Sequence, residues 1–240
     1  MSPNQDGLQR GRISSGITPN TLVRKTVEFV YGKLPEWRDD PDRSVSESEF
    51  VLNSQLCDYL DSESRDDFPM VQFKHEEGQG GRRSVDLAAK PTKSIRIRSC
   101  DYTIYDPILV LEGKRLPPPS TDRIKEYFTS FDEDKVKGGI QRFRTGAHGS
   151  KLTTVAMIGY IQRKDAAHWH KKINEWIVEE CESKLDKFCD WSDADLLQKL
   201  TQSKKRKTSR CNSTHSRVNG KTQKVSIKHL WVEMGDSNVA

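Results

Sequence analysis

The run Ile108-Leu109-Val110-Leu111 passes without a turn into Glu112-Gly113-Lys114. Side chains alternate along a strand, so Glu112 and Lys114 share a face with Ile108 and Val110. A core-facing strand therefore ends in an acid and a base. Unpaired charge is costly to bury, so this pair needs a metal, a mutual partner or an acidic substrate beside it. Any fold for this chain must place that strand inside a sheet and still give its end something to bind.

The flanking sequence supplies the rest of such a sheet. Residues 46–63 read as a helix, because Glu49, Leu52, Asn53, Leu56, Tyr59 and Leu60 recur at three- and four-residue steps. Glu49 falls on that inward stripe, whereas Glu47 suits the positive end of the helix dipole. Residues 70–76 and 82–89 alternate as strands around Gly78-Gln79-Gly80-Gly81, a hairpin turn. This puts Asp86 mid-strand with the small Ser84 and Ala88 on its face. Ile95-Arg96-Ile97-Arg98 forms a ribbon with an arginine face, which suits either a charged edge that blocks sheet aggregation or a contact to phosphates.

After the central strand, Pro117-Pro118-Pro119 ends regular structure. Helical patterns cover 121–131 and 134–145, the second with Val136, Ile140 and Phe143 on one side and Gln141 beside them. Gly138-Gly139 within that pattern signals a close backbone approach. Residues 153–161 read as a fourth, buried strand, and 165–184 as a helix packing Trp169, Ile173, Trp176 and Ile177. Residues 22–34 fit a helix or a strand. The core order is thus αβββαβ with a further helix, an α/β fold whose central mixed sheet is flanked by helices.

Length bounds the organisation. At 240 residues the chain suits one domain, spanning 21–240 behind a flexible arm over 1–20. Its core covers about 46–185, a basic loop with Lys204-Lys205-Arg206-Lys207 covers 202–224, and a closing strand covers 225–234. His215 and His229 could meet across a hairpin, a placement that suits structural histidines. The formal charge of +5 tilts the chain toward polyanions. The longest apolar stretch, 155–161, falls far short of the ~20 residues of a membrane helix, and 1–12 lack the apolar core of a secretory signal. Five cysteines without a CxxC spacing suit reduced thiols and a cytoplasmic location, more than a zinc site from Cys189, Cys211 and His215. There is no Walker-type phosphate loop, which excludes ATP-driven work by that device.

Neighbouring strands lie about 4.8 Å apart, so Asp86 and Glu112 on adjacent strands can direct two carboxylates at one ion. Hard oxygen ligands suit Mg²⁺, with Mn²⁺ as a substitute, and the metal would complete its shell with water and substrate phosphate. Lys114 on the same face can hold a water or stabilise charge on the phosphate. The three suit phosphodiester hydrolysis.

Asp86, followed by Glu112-x-Lys114 on the next strand, resembles the motif of the PD-(D/E)xK nuclease superfamily, the restriction-endonuclease-like fold. The resemblance covers roughly residues 46–161, with Val85 standing in place of the motif's proline. It implies that Asp86 and Glu112 bind Mg²⁺ together with the Gly113 carbonyl. Glu49 would ligate a second ion or orient a water, Lys114 would position the attacking water, and Gln141 would hold Lys114 or that water in place. Lys135, Lys137, Arg142 and Arg144, with Arg96 and Arg98, are the candidates for neutralising backbone phosphates. The implied activity is a metal-dependent DNA endonuclease of a restriction or phage-defence kind, working as a homodimer or within a larger defence complex. RNA remains open as a substrate. The alternatives are a non-catalytic nucleic-acid-binding or assembly module on the same fold, and a resolvase or exonuclease of repair or recombination.

Overall fold

Two amphipathic helices begin the described part of the chain. The computed structural model describes residues 21–46, 48–81, 83–97, 100–130, 135–218 and 223–235, so the arm over 1–20 and Arg98 lie outside the described residues. Helix α1 (Thr21–Arg38) settles the ambiguous 22–34 segment, burying Leu22, Thr26, Val30, Leu34 and Trp37 on one stripe. Helix α2 (Glu49–Asp67) opens at Ser48, whose side chain accepts a hydrogen bond from the Val51 N–H. It buries Leu52, Asn53, Leu56 and Leu60, the stripe that the three- and four-residue spacing marks.

Strands β1 (Val71–Gly78) and β2 (Ser84–Pro91) form the expected hairpin, and β3 (Ile95–Ile97) pairs with β4 (Cys100–Tyr102) in a separate ribbon. The charged strand is β5 (Leu109–Leu116). Short helix α3 (Gly139–Arg144), strand β6 (Thr154–Ile161) and helix α4 (Ala166–Ser183) follow, the last capped by Asp165. Strands β7 (Thr201–Ser203), β8 (Thr208–Ser216) and β9 (Lys224–Glu233) complete a seven-stranded sheet in the order β1-β2-β5-β6-β9-β8-β7. The β5–β6 and β6–β9 pairs are parallel and the others antiparallel. The chain is therefore mixed α/β, with a central mixed sheet flanked by helices.

Side-chain alternation divides the core between the two faces. Leu87, Leu109, Leu111, Ile158 and Tyr160 pack with α1 and α2, while Val110, Val155, Met157 and Ile227 pack with α3 and α4. Glu112 and Lys114 follow Val110 by two and four residues, so they leave β5 on the α3 side.

Three expectations need correction. The segment 121–131 is not a helix; a 3-10 turn, Thr121–Arg123, leads into turns instead. The carbonyls of Glu126, Tyr127 and Phe128 accept from the N–H groups of Gly139, Ile140 and Gln141 at 2.9, 3.3 and 3.1 Å. They satisfy the orphan donors at the start of α3 rather than a helix of their own. For the same reason α3 begins at Gly139 and not at 134, which itself lies outside the described residues. A Cβ on Gly138 would stand 2.3 Å from Thr129 Cα, which is the close approach that the paired glycines signal. Within the stretch 202–224, expected as a basic loop, residues 202–216 form a hairpin instead, with Arg206 and Lys207 at its β7–β8 turn and β8 paired to β9 from Thr208 to Ser216; residues 219–222 lie outside the described residues.

Candidate functional site

The site forms where β2 leaves β5. These strands pair at three rungs only, Leu87↔Leu111, Ala88↔Val110 and Ala89↔Leu109. One residue further on, Asp86 and Glu112 follow on the two strands, and among the described residues no strand pairs with the β2-side edge of β5 from Gly113 onward. Backbone groups point to alternate edges, so the N–H and C=O of Gly113 and Arg115 face the opening. Carboxylates take over their donors. The Gly113 N–H donates to Asp86 Oδ2 at 2.8 Å, and the Arg115 N–H to Glu49 Oε2 at 3.4 Å.

Glu49 arrives in the first turn of α2, and its Oε1 accepts a charge-assisted hydrogen bond from Lys114 Nζ. Lys114 thus pairs with the helix rather than with its strand neighbour Glu112. One turn on, Asn53 explains why the residue between them is glycine. A Cβ at Gly113 would stand 1.8 Å from Asn53 Oδ1, an oxygen that also accepts from the Tyr160 hydroxyl at 2.8 Å.

Glu112 is fully buried, and an imidazole and a guanidinium share it. Oε1 meets His148 Nδ1, and Oε2 accepts from Arg142 Nη1 at 3.0 Å. Burial would raise the Glu112 carboxyl, but the His148 hydrogen bond and the charges of His148, Arg142 and Lys114 outweigh it and hold it low. Asp86 has no such compensation. Burial first, and then the charge of Glu112, push its carboxyl up to about 7 against the pull of Lys114 and the Gly113 N–H. Burial alone would lower the Lys114 ammonium, and Glu49, followed by Asp86 and Glu112, keeps it above its ordinary value.

The structure thus brings Asp86, Glu112, Gly113, Lys114 and Glu49 together, and it leaves Gln141 apart from them. The Gln141 amide nitrogen donates to Asp186 Oδ1 at 2.9 Å and to the Ser130 carbonyl at 3.3 Å, while its oxygen accepts from the Gly138 N–H at 3.2 Å. It braces the start of α3 and does not hold Lys114. Among the phosphate candidates, Arg142 is on Glu112 and partly exposed, Lys135 is exposed, and Arg96 is exposed in an ion pair with Asp101. Arg144 is not on a solvated face, being 4% exposed, and Lys137 is exposed at the edge of α3. His148 is the residue that sequence reasoning missed. Its one signal is the Gly146-Ala-His-Gly149 loop, whose glycines sit at φ 72° and 58°, a sharp turn around a single imidazole.

A second polar cluster is wholly internal. His215 Nδ1 bonds Asp195 Oδ1 at 2.7 Å, and Ser213 Oγ lies 2.6 Å from His215 Nε2 and 2.8 Å from His229 Nε2. His229 Nδ1 lies 2.8 Å from the Tyr127 hydroxyl, which accepts from Trp231 Nε1 at 2.7 Å. Burial holds Asp195 back from ionising, but the His215 hydrogen bond and Arg144 win and keep it ionised. An ionised carboxylate only accepts, so His215 carries its proton on Nδ1 and accepts from Ser213 at Nε2. Ser213 then accepts from His229 Nε2–H, and Tyr127 donates to His229 Nδ1. Each proton has one place, which makes both histidines neutral and structural.

Among the described residues, no three His, Cys, Asp or Glu side chains form a ready-made metal cage, and no helix is long and apolar enough to cross a membrane. A scan of the chain against family models and searches of curated proteins and of solved structures returned no match.

Proposed function

We propose that this chain is a metal-dependent nuclease that hydrolyses the phosphodiester backbone of DNA, built on a restriction-endonuclease-like core of the PD-(D/E)xK kind and serving restriction or phage defence. The observation that carries this reading is the gathering of Asp86, Glu112-Gly113-Lys114 and Glu49 at the edge of β5 that β2 vacates. The donor set fits a hard divalent cation. Asp86, raised to about 7 by burial and by Glu112, is a carboxyl short of positive charge, and the Gly113 carbonyl faces the same opening. Asp86, Glu112 and that carbonyl would hold Mg²⁺ or Mn²⁺, with Glu49 at its margin. Few protein ligands suit Mg²⁺, which keeps several waters.

When bound, the cation supplies Lewis-acid polarisation of the phosphate and a more acidic water. The remaining work belongs to the side chains. Lys114 Nζ, kept charged by Glu49, donates to a water or to a phosphate oxygen as charge develops there. Arg142 can exchange Glu112 for a phosphate oxygen, since its guanidinium is partly exposed. Asp86 fixes the backbone at Gly113 and so fixes the spacing of Glu112 and Lys114.

Incubating the protein with supercoiled plasmid and Mg²⁺ should give nicked and linear products that Glu112→Ala abolishes. No cutting over a range of salt and divalent ions, or full cutting by Glu112→Ala, would sink the reading. Supercoiled, linear and branched substrates compared side by side separate an endonuclease of ordinary duplex from an exonuclease or a resolvase. One observation favours a second reading, a non-catalytic nucleic-acid-binding or assembly module: both Glu112 oxygens are already engaged by His148 and Arg142. That module would bind DNA equally well as Asp86→Ala.

A further inference from the structure

Six lysines among the described residues are buried or partly buried, and five of them sit against a carboxylate. Lys33 pairs with Glu63 and Asp67, Lys90 with Glu77, Lys114 with Glu49, Lys125 with Glu179 and Lys172 with Glu175. The sixth is Lys228, which among the described residues has no such partner. Burial lowers its ammonium, and the charge of Glu28 opposes that loss without a contact. Taking an ammonium partly out of water with no acid on it is costly, so the position calls for an anion.

Lys228 leaves β9 on the α1 side, in step with Leu230 and Val232. There it lines a cavity of about 530 Å³ between the first two turns of α1 and strands β6, β8 and β9. Arg24, Lys199 and Arg210 line it too, and the one acid in its wall is Glu28. Arg210 already takes both Glu28 oxygens, at 2.9 and 2.8 Å. Three cations remain, Arg24 and Lys199 exposed and Lys228 with its Nζ open to solvent. The backbone brings two of them together: the Gln198 N–H donates to the Asn212 carbonyl at 2.8 Å, and Asn212 pairs across the ladder with Lys228, so Lys199 and Lys228 flank one residue. Val23, Val27 and Leu230 supply an apolar wall beside them. Ammonium and guanidinium groups from three elements suit a doubly charged phosphate, and the apolar wall suits a carbon skeleton. The volume falls within the roughly 300–1,000 Å³ of small-molecule sites. We infer that this cavity binds a small organic phosphate, with Lys228, Lys199 and Arg24 on the phosphate and the carbon skeleton against Val23, Val27 and Leu230. Glu112 and Lys114 leave β5 on the opposite, α3 side of the sheet, so the site is separate from the candidate nuclease centre.

Calorimetric titration of the full chain, in chelator and at fixed ionic strength, tests the inference with adenosine monophosphate, inorganic phosphate and a short DNA duplex without terminal phosphates in separate arms. Saturable binding of both small molecules is expected, tighter for the nucleotide. Lys228→Gln should weaken it roughly tenfold or more, and the exposed Lys199→Gln and Arg24→Gln severalfold. Lys171→Gln, which removes an exposed lysine of α4 on the other face, should change nothing. Without ligand, Lys228→Gln should melt no lower than the parent, because it removes a partly buried charge that has no acid on it. A clear drop would make Lys228 a brace of the fold and overturn its role; if that variant does not fold, Lys199→Gln decides. No saturable binding of either small molecule, or cavity variants that bind like the parent, overturn the inference. So does a duplex whose binding alone falls in these variants, which would give the face to a nucleic acid. Because cutting is not the readout, loss of the nuclease reading leaves this result standing.

Discussion

Two polar clusters are built into one sheet, and they differ in whether their hydrogen bonds close. In the β8–β9 cluster every donor from Trp231 to His215 has an acceptor, ending on an ionised Asp195. At the β5 edge three carboxylates crowd around Lys114, and the one at Asp86 is left near neutrality. A closed cluster of this kind specifies a core, since each member is satisfied only in one arrangement. An open one stores a deficit that a ligand can make good. Buried histidines, serine and aspartate look like chemistry in a sequence, yet here the strand end with the simpler residues holds the deficit.

The contrast is broken most forcefully at Glu112. Glu112→Ala leaves the Arg142 guanidinium and the His148 ring without their shared acceptor, so thermal or urea unfolding should show a loss of about 3–5 kcal/mol, the scale for stranding one side of a buried pair. Glu112→Gln, which keeps the shape and an acceptor oxygen, should lose clearly less. Equal losses in the two variants would mean that the cavity dominates and the charge matters little.

Ser213→Ala tests closure in the other cluster. It removes the hydroxyl that bonds both imidazoles, leaving His215 Nε2 and His229 Nε2 without that partner, and should cost about 2–3 kcal/mol. A change within about 0.5 kcal/mol would show that the chain of bonds is dispensable. Acid should act on this cluster as well. Burial first, and His215 next, hold His229 well below 6.5, and burial lowers His215 against the pull of Asp195. Between 6.5 and those depressed values the unfolded chain binds more protons than the folded one. Their contribution is therefore whole above about pH 6.5 and falls away as the pH drops through that window. Unfolding curves from pH 8 to pH 5 on the parent and on Ser213→Ala would check this; a parent whose stability does not fall below pH 6.5 would contradict it.

How far these clusters could be read from sequence follows from what faces inward. The β1–β2 hairpin, β5 and α2 carry aliphatic residues at regular spacing with glycine turns between them, so both elements and the positions of Asp86, Glu112 and Glu49 were legible. Strand β8 presents Cys211, Ser213 and His215 to the interior, polar or small groups that read as a loop beside its lysine-rich turn. Only the partners on β9, Tyr127 and Asp195 make those residues a strand. Residues 121–131 failed for a related reason, because their carbonyls are claimed by α3 across a gap in sequence. His148 and Arg142 reach Glu112 from more than 25 residues away, and no local pattern encodes such a contact. Gln141 sits where the resemblance placed it in sequence, but Asp186 competes for its amide.

The smallest effect is the most discriminating, because its sign is opposite to that of ordinary damage. Asp86 is held at about 7 in the folded chain against 3.8 in the unfolded one, so the folded state binds the extra proton between those values. Its penalty is absent below about pH 4, grows as the pH rises, and is complete above about pH 7. Asparagine in its place cannot ionise and keeps an oxygen for the Gly113 N–H. In chelator, Asp86→Asn should therefore match the parent near pH 4 and exceed it at pH 8, by on the order of 1 kcal/mol once the partial exposure of the carboxylate is allowed for. The same variant should lose any cleavage. Stability gained where function is lost is what a strained ligand position predicts, and a loss of stability at every pH would place Asp86 among the structural residues, beside Asp195.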